Sequence, residues 1–180
     1  MLPLVAYLFF ASGVNNFAKL PVLKENVLSI SDYSKVDLNQ KISILFFLGS
    51  NIEDRQGDAL NMNQKIYKRF YDFEDFQFVV ICPLESEQLA DDLKNKLEMG
   101  TNTDMRKWNF VFLDPNIIEE VFNSLNTNTD LDQYSGSPYV YIVDKKRSLR
   151  GRNDDDGIKF GYDSRSVQSH PLENYIFPTS

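Results

Sequence analysis

ISILFFLGSNIEDRQGDAL, residues 42–60, carries the decision about the fold. Residues 42–48 are apolar except for Ser43, the composition of a strand covered on both faces. A polar stretch from Ser50 interrupts the run. Beyond them Ala59, Met62, Ile66 and Phe70 step by three and four, with Leu60 and Tyr67 flanking. That spacing predicts a helix over about 58–71 with one apolar stripe, and Asp58 is placed to cap it. A buried strand running through a polar turn into a helix is the opening half of a βαβ unit.

The rest of the chain repeats the alternation. Residues 76–82 read as a second strand, which Pro83 should end because it has no N–H for the ladder. Leu89, Leu93 and Leu97 recur every four residues and predict a helix over 85–99, stopped at Gly100. Residues 109–113 form a third strand. Asp114 and Pro115 open a helix as N-cap and first helical residue, with Ile117, Ile118, Val121, Phe122 and Leu125 on its buried face. A polar loop, 126–137, leads to a strand over 139–143, and the turn 144–148 returns it antiparallel near Leu149 and Arg150. The order βαβαβα followed by ββ has helix-length crossovers, which join parallel strands and place helices on the sheet faces. The expectation is an α/β sandwich with a mixed β-sheet and helices on both faces.

Composition narrows the function. The 180 residues bury a real core, with 42% hydrophobic and 13% aromatic side chains, 14 Phe and 9 Tyr among them. A net charge of −7 argues against nucleic acid as a partner, since a phosphate backbone needs a basic face; Lys145, Lys146 and Arg147 read as a solvated hairpin turn. The chain has one cysteine, Cys82, and one histidine, His170. An intramolecular disulfide is therefore impossible, and metal sites that need several Cys or His ligands are excluded. A Ser-His-Asp triad would have to use His170, in a Pro-flanked stretch without helical or strand pattern.

Near the N-terminus LPLVAYLFFASGV, residues 2–14, carries no charge, and the first charge is Lys19. Thirteen residues are too few to span a bilayer, which takes about 20, but they suit a signal or anchor segment. No Lys or Arg precedes the run. That leaves a truncated signal or merely a sticky N-terminal segment; residues 1–19 are read as an export or anchor segment, giving a possible membrane tether.

The order of elements resembles the thioredoxin-like superfamily. Ser137-Pro138-Tyr139-Val140-Tyr141-Ile142-Val143-Asp144 is similar to that superfamily's proline-then-strand signature. The resemblance implies a cis Pro138 facing the turn after the first core strand; X-Pro is the bond at which cis costs least. Within the superfamily the chain resembles the Sco (SenC) group of membrane-anchored copper chaperones and thiol-disulfide proteins. Leu20-Pro21-Val22-Leu23 resembles the segment after their anchor. Trp108-Asn109-Phe110-Val111-Phe112-Leu113 is similar to their W-x-F-L strand. Val143-Asp144-Lys145-Lys146 with Leu149-Arg150-Gly151 resembles their V-D-x-x-G-x-I-R-G hairpin. The likeness runs over about 20–152 and implies a thioredoxin-like fold in a periplasmic or equivalent exported space.

The same resemblance implies a C-x-x-x-C pair on the turn after the first core strand and a distant histidine, ligands that suit copper(I). Here that turn holds Ser50, Asn51, Glu53, Asp54, Arg55 and Gln56, with Ile52 among them and no cysteine, and residues 133–138 contain no histidine. The scaffold reads as retained and the copper and dithiol site as lapsed, with no cofactor expected. Cys82 as a lone peroxidase-like nucleophile is the competing reading. It would need a cation or helix N-terminus to lower its pKa, and Glu85, Glu87, Asp91 and Asp92 surround it in sequence. A buried inert thiol is the plainer expectation. A third reading gives Glu53, Asp54 and Asp58 a hard-metal or acid-base role; Arg55 among them and the helix start beside them favour ordinary capping. Met62 is a further soft donor from which a copper site could be rebuilt.

Residues 152–163, RNDDDGIKFGYD, match part of an EF-hand loop at Asp154, Asp156, Gly157 and Asp163, but Arg152 occupies the first ligand position. A solvated hairpin tip is expected instead. Tyr67, Phe70, Tyr71, Phe73, Phe76 and Phe78 are expected in the core. Residues 164–180 read as an irregular tail. A thioredoxin-like domain, here 20–163, normally closes with a helix; without one, an apolar patch on one sheet face stays available to a partner. The functional expectation is a non-catalytic binding or assembly role with an unknown protein partner, linked to respiratory-complex biogenesis through the resemblance alone.

Overall fold

The computed structural model describes residues 20–127 and 129–151 together with His170 and Pro171. The 1–19 segment, the EF-hand-like stretch 152–163 and most of the tail lie outside the described residues. Among the described residues seven strands form one mixed sheet: β1 (Val22–Lys24), β2 (Ile42–Phe47), β3 (Phe76–Pro83), β4 (Trp108–Leu113), β5 (Tyr139–Val143), β6 (Leu149–Arg150) and β7 (His170–Pro171). Their order is β1-β6-β5-β2-β3-β4, with β7 also on β5. β2, β3 and β4 are parallel, in a register that sets Ile44 beside Phe78 and Phe78 beside Trp108. β5 runs antiparallel to β2, and β6 returns antiparallel on β5. The mixed sheet expected from the crossovers is observed.

Alternation along the strands builds two cores, because successive side chains point to opposite faces. Ile44, Phe46, Phe78, Val80 and Trp108 share one face with the helix that follows β2 and with α3 (Glu87–Thr101). The rings of Phe78 and Trp108 stack there at 4.9 Å, only 6° from parallel. Leu45, Phe47, Val79, Ile81 and Tyr141 share the other face with α4 (Pro115–Ser124). Val27, Ile30 and Leu38, from the loop before β2, also pack on this second face. The helices thus cover both faces, as expected.

Several local expectations change. The helix after β2 begins at α1 (Gln56–Met62), passes through a π-helical stretch (Asn63–Tyr67) and ends in a last turn, α2 (Lys68–Phe70). A π-turn inserts an extra residue and rotates everything beyond it. Tyr67, which flanks the stripe, is fully buried as expected of the core, its hydroxyl donating to Asp104 O at 2.8 Å and accepting from Lys107 N at 3.0 Å. Phe70, expected within the stripe, is 43% exposed. Asp58 does not cap: Arg55 holds the N-cap position, without a side-chain cap, and Asp58 lies in the first turn. α3 passes through Gly100 and stops at Asn102, whose left-handed φ of 48° closes it. β3 takes in Pro83 as its last residue, opposite Leu113. The Asp114 cap forms as expected, its carboxylate accepting from Asn116 N at 3.0 Å. In the tail, His170 and Pro171 pair with Val140 and Tyr139, so this stretch is not wholly irregular.

Candidate functional site

The turn that leaves β2 rests on Gly49. Its φ of +74° favours glycine, and a Cβ there would lie 2.6 Å from Tyr134 O and 2.8 Å from Gly136 N. Glycine lets the loop before β5 approach this closely. Ser50 N then donates to Tyr134 O at 2.9 Å, and Ser137 N donates to Phe47 O at 2.8 Å. These two bonds fasten the turn to the segment that leads into Pro138.

The facing loop is a five-residue turn organised by one aspartate. Asp132 Oδ1 accepts from Tyr134 N and from Gly136 N, both at 2.9 Å, while Asp132 N donates to Gly136 O at 2.8 Å. The β5–β6 hairpin uses the same device. Asp144 Oδ1 accepts from Lys146 N and Ser148 N at 2.9 Å, and Asp144 N donates to Ser148 O at 2.9 Å. The fourth residue of each turn is left-handed, Ser135 at φ 58° and Arg147 at φ 59°. In both turns an arginine takes the second carboxylate oxygen: Arg150 Nη2 lies 2.6 Å from Asp144 Oδ2, and Arg55 Nη2 lies 2.6 Å from Asp132 Oδ2. An Asp side chain bonding forward to its own backbone explains why these short polar runs turn where they do.

Arg55 makes the long-range connection. It comes from the start of α1 and reaches across the turn, so that a Cβ on Gly136 would sit 3.1 Å from its Nε. The side chains of Arg55 and Asp132 are 14% and 35% exposed. Burial pushes the Asp132 carboxyl up, but the Gly136 N–H, the Arg55 guanidinium and the Tyr134 N–H together outweigh it. The net effect holds this group below the usual carboxylate range. The remaining turn residues do ordinary work. Asn51 donates to Asp54 at 2.6 Å, Gln56 accepts from Lys96 at 3.4 Å, Ile52 is buried, and Glu53 and Asp54 are exposed.

Pro138 departs from expectation. No described peptide bond is cis, so its bond is trans, and the residue is exposed just beyond the pair of bonds that fasten the loop. Just before it the buried Ser137 hydroxyl is engaged by Tyr139 N and Tyr141 Oη, at 3.2 and 3.3 Å.

Cys82 lies apart from the turn residues in role. It is fully buried in β3 opposite Phe112, among Phe46, Val80 and Ala90 on the Trp108 face of the core. Burial pushes its thiol well up from the ordinary value, so the thiolate needed by a nucleophile is disfavoured. Among the described residues, no three His, Cys, Asp or Glu side chains converge in a metal-binding group. The turn offers a hydroxyl, amides, carboxylates and a guanidinium. Copper(I) favours soft thiolate and thioether donors, and this set does not fit it. Met62 is fully buried in the core. A polar cleft of about 310 Å³ opens beside Asp132, with Asn116, Glu119, Asn123, Asp130 and Ser135 also on its wall.

Sequence reasoning located the turn and the strand after Pro138 but passed over Gly49, Asp132 and Gly136. One signal was present: D-x-x-x-G at 132–136 has the same spacing as D-x-x-x-S at 144–148, where a hairpin turn was expected.

No family model matches the chain, and no curated protein matches it. Solved structures do. BsSco, a member of the Sco family of cytochrome c oxidase assembly proteins, superposes with a TM-score of 0.51 at 15% identity, over 73% of this chain and 85% of that one. The thioredoxin domain of a thiol-disulfide oxidoreductase from Bacteroides vulgatus gives 0.45 at 15% identity, covering 74% and 84%. A SCO1/SenC family lipoprotein from Bacillus anthracis gives 0.44 at 14%, covering 73% and 82%. The likeness to BsSco, with the sheet order above, shows a thioredoxin-like α/β fold. Among the described residues no helix is long and apolar enough to cross a membrane.

Proposed function

We propose that this thioredoxin-like domain works without thiol or copper chemistry, as a binding or assembly module in an extracytoplasmic space. The observation that carries this reading is the ion pair between Arg55 and Asp132. It stands on the turn where the resemblance implies a reactive pair, and it ties that turn to the facing loop. A guanidinium there opposes a bound cation and leaves no sulfur to exchange. The buried Cys82 supports the same reading, because thiol exchange requires an accessible thiolate. The link to respiratory assembly, the extracytoplasmic location and a tether through residues 1–19 rest on the resemblance and on the apolar N-terminal run. A protein partner is part of the proposal, since fold alone assigns no ligand.

The test measures Cys82 with a thiol-reactive dye in folded and urea-unfolded protein, alongside reduction of a disulfide substrate by the folded protein. The reading predicts labelling only after unfolding and no disulfide reduction above the uncatalysed rate. Rapid labelling of folded protein, abolished by Cys82→Ser together with a peroxide-consuming activity, would replace it with the peroxidase-like reading.

A further inference from the structure

We propose that the outer edge of β4 is an interface between two copies of this chain, paired antiparallel through Phe110 and Phe112 into one continuous sheet. Among the described residues β4 has one neighbour, β3, and ends the sheet order. The register shows which of its backbone groups face outward. Phe78 N donates to Lys107 O, and Phe78 stands beside Trp108, so Lys107, Asn109, Val111 and Leu113 turn their backbone groups to β3. Those of Trp108, Phe110 and Phe112 face the other way. Trp108 N is taken by Met105 O at 3.0 Å. The N–H and C=O groups of Phe110 and Phe112 have no partner among the described residues.

The two edges of the sheet are built differently. An exposed edge is a template for another strand, and edges are blunted by shortness, charge, proline or a bulge. β1, at the far edge, has 3 residues, an irregular register, Lys24 and, just before it, Pro21. β4 has 6 residues, WNFVFL, in unbroken register with β3 and with neither charge nor proline. A second copy is the occupant that fits. A two-fold axis at Val111 sets Phe110 of each copy opposite Phe112 of the other, and the outward groups of both residues are then bonded in both copies. That axis is perpendicular to the sheet, so each face continues into the same face. The aromatic row of Trp108, Phe110 and Phe112, whose first two rings lie 6.0 Å apart, thus runs on across the junction. Lys107 precedes the strand and Asp114 follows it. Antiparallel pairing brings the basic end of each copy to the acidic end of the other, while both side chains keep their present bonds to Phe73 O and Asn116 N. A net charge of −7 opposes self-association elsewhere, but this strand sets no like charges together. One edge of 6 residues is small against the roughly 1,200 Å² at which standard interfaces begin, so the dimer forms and parts with concentration. The inference is independent of the function proposed above, since neither the turn nor Cys82 takes part in it.

Sedimentation of the full 180-residue chain tests it, at concentrations from about 10 μM to about 1 mM, the range in which so small a contact associates. The mean mass should rise from that of the monomer, 20.9 kDa, towards twice that value. Phe112→Lys puts a charge beside the two-fold axis and should abolish the rise while leaving the circular dichroism spectrum unchanged. A second measurement needs no variant and decides the matter alone if Phe112→Lys does not fold. Hydrogen exchange at the Phe110 and Phe112 amides should slow several-fold from dilute to concentrated wild-type protein, because each amide gains an acceptor. A chain that stays monomeric to about 1 mM would leave this edge to a strand of another protein, or to none, and overturn the proposal. Association that survives in folded Phe112→Lys, or that leaves both amides exchanging at their dilute rate, would place the contact elsewhere and overturn it equally.

Discussion

Removing Asp132 should do more than break an ion pair, and the structure allows the parts to be separated. Arg55→Ala deletes one charge-assisted hydrogen bond of 2.6 Å. Such bonds contribute about 1.5–3 kcal/mol when buried, whereas exposed pairs contribute about 0.2–1 kcal/mol. With the two side chains 14% and 35% exposed, the pair falls between these limits after solvent screening, at about 1–2 kcal/mol. Asp132→Ala also strips the acceptor from the amides of Tyr134 and Gly136. At about 0.5–1.5 kcal/mol for each, its total becomes about 2–5 kcal/mol. The double variant should cost little more than Asp132→Ala alone, because Arg55 has already lost this partner. Urea unfolding of wild type, both single variants and the double variant closes the cycle, and the coupling should be about 1–2 kcal/mol. Additivity within about 0.5 kcal/mol would refute the claim that this pair fastens the turn to the loop.

Other outcomes follow from the same structure. The folded Asp132 carboxyl lies below its unfolded value of about 3.9, so its stabilisation is fully present above that pH and is lost as pH falls through the folded value. Asp132→Asn should therefore flatten the acid limb of the stability curve, and an acid limb as steep as wild type would count against it. Gly49→Ala places a methyl group 2.6 Å from Tyr134 O in a left-handed conformation. A loss of about 3 kcal/mol or more in urea unfolding is expected, from about 1–2 kcal/mol of backbone strain plus the clash. Asp114→Ala removes a formed N-cap and should cost about 1 kcal/mol, read as a lower thermal midpoint. Tyr67→Phe leaves the Lys107 amide without its acceptor and should cost about 1–2 kcal/mol in the same assay, more than an exposed Tyr33→Phe.

The order of strands and helices was legible because each carries its own periodicity. The apolar run at 42–47, the Leu93 and Leu97 stripe and the Asp114-Pro115 start all act within one turn or one strand, so local pattern suffices. What local pattern cannot hold is contact between distant segments. Arg55 and Asp132 are 77 residues apart, and nothing in either neighbourhood names the other. The loop carrying Val27, Ile30 and Leu38 has no clean period, yet it buries all three against the second sheet face. The π-stretch is invisible to a 3.6-residue count, and beyond it Phe70, expected in the core, is left 43% exposed. Asn102 rather than Gly100 closes α3 because packing extends the helix: Thr101 donates to Leu97 O and accepts from the buried Asn63 amide. Pro138 shows the limit of resemblance. The sequence around it resembles a known signature, but the bond here is trans.

Whether the turn at residues 50–56 supports copper chemistry is decided by titrating the 180-residue protein with copper(I) against a chromogenic chelator. With a hydroxyl, amides, carboxylates and a guanidinium in place of thiolates, the chelator should keep the metal at every protein concentration, in wild type and in Cys82→Ser alike. Retention of one copper per chain, lost on Cys82→Ser or on Met62→Leu, would contradict it and restore the copper-chaperone reading.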